Sequence, residues 1–147
     1  MTGSRESAMQ ALLSVIESAF PWAIAPSRRL RLWADVPTAE RPCCFLFEGG
    51  KETYAWNNGV SPKRIIEAHL FVYVNSKDPD TPGAPQLNTI LDALDVAFAP
   101  ANADAEAGRL TLGGAAYDCR IEGAPFKDPG DLDGDGLLVA PLRIVLP

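Results

Sequence analysis

The acidic run Asp131-Leu132-Asp133-Gly134-Asp135-Gly136 holds the side chains best suited to binding a metal ion. Carboxylates at alternate positions, with a glycine for a sharp turn, are how an EF-hand calcium loop begins. Such a loop ends in a bidentate glutamate at position twelve, where this chain has Leu142. The candidate ligands Asp131, Asp133 and Asp135 therefore match only in part, and a solvated acidic turn between two strands is the favoured interpretation. A calcium-binding module remains the alternative function of a different class.

His69 and three cysteines are the other side chains that could do chemistry. General acid–base catalysis needs a partner within hydrogen-bond reach, and strand alternation would place Glu67 beside His69. An odd cysteine count, with Cys43 and Cys44 adjacent and Cys119 distant, is a poor disulfide framework and lacks a zinc-type spacing. We therefore expect buried, reduced thiols, no catalytic residues and no cofactor, and a protein that is not an enzyme.

A basic cluster and three large aromatic residues are candidates for contact with a partner. The cluster is either an exposed strand edge kept soluble by its charge or a docking site for an acidic partner. The aromatic residues either anchor an interface or pack in the core. The candidate partner-interface residues are Arg28, Arg29, Arg31, Trp33, Tyr54 and Trp56.

The composition predicts one globular domain over residues 1–147, because 47% of the residues are hydrophobic and the length suits a single core. No apolar stretch approaches the ~20 residues of a membrane span, and the start of the chain lacks the pattern of a signal peptide. We therefore expect a soluble protein of the cytoplasm without membrane contact. A net charge of −6 argues against tight binding to nucleic acid.

Two segments have the apolar periodicity of amphipathic helices. The first begins after Ser4 as N-cap and ends before Pro21, and the second spans residues 86–98. The first helix buries Met9, Leu12, Leu13, Ile16 and Phe20, and the second buries Leu87, Ile90, Leu91, Leu94 and Phe98.

Strand-like patterns fill much of the remaining chain. They predict strands at residues 30–36, 43–47, 52–56, 65–75 and 137–146, with Pro141 at an edge or a bulge. The Gly-Gly pairs at residues 49–50 and 113–114 predict hairpins over residues 43–56 and 110–122. Residues 66, 68, 70, 72 and 74 form an apolar face that packs on helices, and the mixed opposite face is a candidate subunit contact. The predicted fold is α/β (α+β): one domain with a mixed, mostly antiparallel sheet, flanked by two main helices.

Several segments resemble small tail proteins of long-tailed bacteriophages, in particular the lambda-like tail terminators. The similar segments are Ser4-Arg5-Glu6-Ser7-Ala8-Met9-Gln10-Ala11-Leu12-Leu13, Ser27-Arg28-Arg29-Leu30-Arg31-Leu32-Trp33, Glu67-Ala68-His69-Leu70-Phe71-Val72-Tyr73-Val74-Asn75, Leu112-Gly113-Gly114, and the ending that includes Gly130-Asp131-Leu132-Asp133-Gly134 and Ala140-Pro141-Leu142-Arg143-Ile144. The resemblance spans nearly the whole chain, without a short diagnostic motif.

The resemblance implies a virion structural protein without catalytic residues. It implies a helix-flanked sheet and a homohexameric ring at the head-proximal end of the tail tube, where the ring stops polymerisation and offers the head–tail joining surface. The implied partners are other copies of the chain, the tail tube protein and the head-completion or connector protein, with DNA passing through the lumen without specific binding. A neck or head-completion adaptor and a tail tube protein are the alternatives of the same class. The two predicted hairpins are the candidate contacts between subunits.

Overall fold

The computed structural model describes residues 4–75, 77–78, 80, 82–99 and 108–147. This part of the chain contains two α-helices, α1 (Ser4–Ala19) and α2 (Gly83–Ala97), and one antiparallel sheet. The strands are β1 (Cys43–Phe47), β2 (Glu52–Asn57), β3 (Val60–Asn75), β4 (Asp118–Ile121), β5 (Phe126–Asp128) and β6 (Asp135–Val145). The predicted fold class is therefore confirmed.

The sheet is built around the long antiparallel pair β3 and β6, which runs from Ile65 opposite Val145 to Asn75 opposite Asp135. Strands β1 and β2 both pair with β3 and lie end to end along its outer edge. Strands β4 and β5 lie end to end along the outer edge of β6 in the same way. Six strands therefore occupy only four rows.

The predicted hairpin over residues 43–56 is wrong, because β1 and β2 follow one another along β3 instead of pairing together. The amide of Glu67 donates to the carbonyl of Lys51 (3.1 Å), which keeps the connecting residues against β3. The real hairpin joins β2 to β3 through Asn58-Gly59, where Gly59 has φ = 76°. Asn-Gly is the dipeptide that favours such a turn, and it extends β3 five residues before the predicted start.

The predicted hairpin over residues 110–122 is also wrong. Leu112–Gly114 forms a single 3₁₀ turn, and β4 pairs with β6 instead of with the preceding residues. Tyr117 is 43% exposed and Asp118 is buried. Burial of Asp118 is stabilised because its carboxylate accepts from the backbone amide of Leu110 (3.3 Å) and pairs with Arg120.

The predicted strand at residues 30–36 is absent. Within residues 23–41, Ser27 alone forms a bridge to β1, and Trp33–Asp35 forms a 3₁₀ turn. This segment crosses the sheet face opposite the helices and builds a second apolar cluster. The cluster comprises Val36, Cys43, Phe45 and Tyr73, with Ile24, Leu30, Trp33, Phe71 and Leu137 packed against it. Burial against the sheet face outweighs the local alternation of the sequence.

The main core lies between the helices and the other sheet face. The predicted apolar face of β3, from Ile66 to Val74, is buried there with Leu12, Ile16, Leu87, Ile90 and Leu94. Helix α2 begins three residues before its predicted start, since Pro85 is tolerated in a first helical turn.

Pro141 was predicted at a sheet edge or a bulge. It lies instead within the central strand β6, in regular register with His69 of β3. Its carbonyl accepts from the amide of Glu122 (3.1 Å), at the gap between β4 and β5. Neither β4 nor β5 pairs with β6 at Pro141. The backbone N–H that proline lacks is therefore not needed for a ladder hydrogen bond on that side.

Candidate functional site

The first part of β3 leaves the body of the sheet and forms a two-stranded arm with β2, here called the arm (residues 52–64). Pairing of β3 with β6 stops at Ile65, so the arm has only its own two strands. Every residue of β2 whose side chain is described is exposed. Tyr54 is 52% exposed and Trp56 is 75% exposed. Tryptophan side chains are highly buried on average in folded proteins, so the exposure of Trp56 is unusual.

The base of the arm is fixed to α1. The Arg5 guanidinium donates to a Glu52 carboxylate oxygen (3.0 Å) and to the Tyr54 hydroxyl (2.8 Å). The Glu52 carboxylate raises the pKa of Arg5. Trp56 lies beyond this attachment, where no such contact is seen among the described residues. The arm therefore has an oriented base and an exposed aromatic end.

The basic cluster does not act as one surface. Arg28 forms ion pairs with both Glu6 and Glu48, and so joins α1 to the end of β1. Arg31 donates to the Asp35 carbonyl (2.8 Å), and Arg29 is exposed. Hydrogen bonding to Arg28 lowers the pKa of Glu6.

The six predicted interface residues therefore separate into different roles. Trp33 is half-buried in the second cluster, which supports its interpretation as a packing residue. Only Tyr54 and Trp56 come together on a projecting surface. Arg28 and Arg31 make contacts within the molecule instead, and the Arg29 side chain is exposed.

His69 and Glu67 line a cavity of about 250 Å³ on the sheet face opposite the helices, with Glu122, Pro141 and Arg143. Arg143 pairs with Glu122 (3.2 Å), and no side-chain hydrogen bond joins His69 to Glu67 in the described part of the chain. Cys119 lies on the opposite face, in the main core. The structure therefore gives His69 no thiol partner.

All three cysteines are buried free thiols. Loss of hydration raises the pKa of Cys43 to about 11 and that of Cys119 to about 12, and it raises the pKa of Cys44 further. A thiol with a raised pKa is a poor nucleophile, because the thiolate is the reactive form.

The acidic run lies in the connection between β5 and β6. Asp135 is ion-paired with Arg41 (2.5 Å), and a carboxylate oxygen of Asp133 accepts from the amide of Asp135 (2.9 Å). Asp131 is exposed. Among the residues with described positions, no three His, Cys, Asp or Glu side chains gather as metal ligands. The loop has the form of an acidic turn.

An open groove of about 490 Å³ lies between the second halves of α1 and α2. Its lining consists of Ser14, Val15, Ser18, Ala19, Ala93, Val96 and Ala97. Val96 is 68% exposed and lies off the apolar stripe of its helix, which is the only signal by which the sequence could have revealed this groove. The predictions missed it.

The sheet face opposite the helices is covered only in part. Segment 23–41 packs over the part of this face that contains Phe45 and Tyr73. Phe47 and Phe126 remain 38% and 57% exposed. Phe47 contacts Phe71 edge to face, with ring centroids 5.9 Å apart. This sheet face therefore has an exposed phenylalanine in each of its two outer rows, Phe47 in β1 and Phe126 in β5.

No protein-family model and no curated protein matches the sequence of this chain. The resemblance to phage tail proteins therefore stays a prediction. Neither helix in the described ranges is long and apolar enough to cross a membrane.

Proposed function

We propose that this chain is a structural subunit of a long-tailed bacteriophage, a tail terminator that closes into a hexameric ring on the tail tube. The observation that carries the proposal is the arm, a hairpin that is attached to α1 through Tyr54 and exposes Trp56 beyond this attachment. Solvent-exposed apolar surface of this kind is typical of a site for protein contact.

Three further features support an assembly function. The side chains able to do chemistry mainly hold the fold together: Asp135 pairs with Arg41, and the cysteines lie in the cores. The sequence resemblance covers segments from the first helix to the last strand, and it names the ring, the tube and the head connector as partners. A net charge of −6 suits a lumen through which DNA slides without sticking.

The test is deletion of the gene in the phage that encodes it, followed by electron microscopy of the particles. We expect tails of uncontrolled length that are detached from heads, and rescue by the wild-type chain supplied in trans. A Leu132→Ala chain should rescue equally well, since Leu132 is fully exposed on the turn between β5 and β6. Normal tails joined to heads without the protein would disprove the proposal.

Counting copies per particle separates this function from its alternatives. A terminator should occur as one ring at the head-proximal end of each tail. Many stacked copies along the tail would identify a tube protein instead, and a position inside the head connector would identify a neck adaptor.

A further inference from the structure

The arm has an open sheet edge along β2. In the same row of the sheet, the edge of β1 is covered, because the Ser27 amide donates to the Cys44 carbonyl (3.3 Å) and the Ser27 carbonyl accepts from the Leu46 amide (2.9 Å). Residues 52–57 have no such cover, since among the described residues their backbone bonds only to β3. Proteins usually cover, shorten or charge a free edge, because its unpaired backbone groups pair with other strands. The edge of β2 is therefore a candidate site for the addition of a strand.

The backbone groups of Glu52 and Tyr54 face this open edge. Tyr54 lies opposite Arg64 of β3, whose carbonyl accepts from the Leu146 amide (2.9 Å) on the other side of that strand. In an antiparallel ladder, opposite residues alternate between pairs that exchange both hydrogen bonds and pairs that exchange none. The pair of Tyr54 and Arg64 is of the second kind, so the N–H and C=O of Tyr54 point away from β3. The same holds two residues earlier, at Glu52.

The strand of this chain that best matches the open edge is β2 itself. Strands β3 and β6 are central, and the edge of β1 is covered. Strands β4 and β5 have four and three residues and are separated by a gap opposite Pro141. Strand β2 has six residues along its free edge. Since an edge matches its own copy after a twofold rotation, the occupant that fits is a second copy of this chain.

We infer that two copies of the chain join through their arms, with β2 of one copy antiparallel to β2 of the other and Ala55 at the twofold axis. Tyr54 then lies directly opposite Trp56 of the partner subunit, and this pair occurs twice. Side chains two residues apart lie on one face of a strand, so the four aromatic rings share one face of the joined sheet. Aromatic cross-strand pairs stabilise a sheet, and the contact covers the exposed Trp56.

This register also keeps like charges apart. The two copies of Glu52 are six positions apart along the seam, which is about 20 Å at about 3.3 Å per residue. The contacts of Arg5 with Glu52 and Tyr54 can therefore remain in each copy. A register centred on Tyr54 would place Trp56 opposite Glu52 instead and lose both pairs of Tyr54 with Trp56.

The inferred contact joins two copies and is then complete, because both contribute the same surface. A ring needs a head-to-tail contact between different surfaces, so the inference goes beyond the proposed function and does not rest on it. Two six-residue strands form a small interface. We therefore expect a dimer of the free chain that dissociates on dilution.

The first test places a single cysteine on the arm. Ala55 is exposed, and in the inferred dimer it faces its own copy as a non-hydrogen-bonded pair, with Cα atoms about 4.5 Å apart. Ala55→Cys should therefore form a disulfide between chains in oxidised glutathione, because this spacing suits a disulfide. Thr53→Cys is the matched control, since Thr53 is exposed on the same strand and its two copies would lie about 13 Å apart. Non-reducing gel electrophoresis measures the product, and the buried native cysteines should not react.

The second test measures the strength of the dimer and the pairing of its backbone. In analytical ultracentrifugation, Trp56→Ala should associate at least about 30-fold more weakly, because each dimer loses two interface tryptophans. Leu132→Ala should associate like the wild type, since Leu132 is fully exposed at the far end of β6 from the arm. Hydrogen exchange followed by NMR should show the Tyr54 amide slowing as protein concentration rises, because the dimer gives this amide an acceptor.

Three results would overturn the inference. They are a wild-type chain that stays monomeric at millimolar concentration, a disulfide that forms as readily in Thr53→Cys as in Ala55→Cys, and a dimer in which the Tyr54 amide exchanges as fast as in the monomer. The gene deletion decides the proposed function separately. An arm-to-arm dimer of a chain that phage tails do not need would keep the contact and remove the function.

Discussion

Strand β3 passes through two very different environments within its sixteen residues. From Ile66 to Val74, its alternate residues are buried under two helices, and β1 and β6 flank it. Before Ile65, the same strand continues in the arm, where β2 is the strand paired with it and the body contacts it at Arg64, whose carbonyl accepts from the Leu146 amide (2.9 Å), and at Lys63, which lies over the Tyr117 ring. An isolated two-stranded hairpin is marginally stable in water. The arm therefore depends on the body for its stability. Its surface can contact a partner without exposing residues of the hydrophobic core.

The body should respond most strongly to mutation. Leu70 is fully buried in the middle of β3, so Leu70→Ala should lower the free energy of unfolding by about 2–5 kcal/mol through lost burial and a cavity. Urea unfolding would measure the change. Thr53→Ala on the arm is the matched control and should stay within about 0.5 kcal/mol. Equal losses at both positions would erase the distinction between body and arm.

The second cluster should behave as part of the body. The Arg41 side chain is 3% exposed and donates to Asp135, to the Val36 carbonyl (3.1 Å) and to the Trp33 carbonyl (2.6 Å). Arg41→Met would leave these acceptors unpaired and should lower the free energy of unfolding by about 3 kcal/mol. Thermal and urea unfolding would both report it. If residues 23–41 alone unfolded and the main core stayed folded, the segment would be a separate layer that does not unfold together with the body.

A mutation in the turn of the arm should destabilise the arm and leave the body unchanged. Gly59 has φ = 76°, and a β-branched residue there is strained by about 1–3 kcal/mol. Gly59→Val should therefore speed hydrogen exchange of amides in the arm and leave those of residues 66–74 unchanged. Mass spectrometry of peptides from each region would separate them. Faster exchange throughout β3 would mean that arm and body unfold together.

The end of the arm should matter least for stability. Trp56 is 75% exposed, so Trp56→Ala should change the free energy of unfolding by less than about 0.5 kcal/mol while self-association falls. Measuring unfolding and sedimentation on the same sample tests both statements. A large loss of stability would make Trp56 a folding residue.

The smallest effect should come from the Arg28 ion pairs at the junction of α1 and β1. Arg28 lowers the pKa of Glu6 below its ordinary 4.5, so this contribution to stability is present above that pH and is lost as the pH falls through the lowered value. Arg28→Met should flatten the fall in melting temperature between about pH 6 and about pH 3. The pair is partly exposed, and an unchanged slope would show that solvent screening removes its contribution.

The regions that sequence could predict share a local cause. The spacing of Met9, Leu12 and Ile16 predicts a buried helix face, and the alternation from Ile66 to Val74 predicts the face of β3 that meets the helices. Strand β1 has its predicted bounds. Both hairpin predictions failed because two glycines allow a turn without requiring one, and pairing with distant β3 or β6 decided the outcome.

The candidate interface residues also divide into what sequence could predict and what depends on tertiary contacts. Sequence marked Tyr54 and Trp56 as possible anchors, yet it marked Trp33 equally, and only burial under residues 23–41 separates them. Arg28 looked like part of a docking surface until Glu6 and Glu48 were found beside it.

Local patterns predict the two helices, the apolar face of the longest strand and the α+β class, because these depend on periodicities within a few helical turns or strand residues. Long-range packing sets which strands share an edge, where β3 leaves the sheet and which helix faces form the groove. These features arise from contacts between residues far apart in the chain, whose burial and register no local pattern contains.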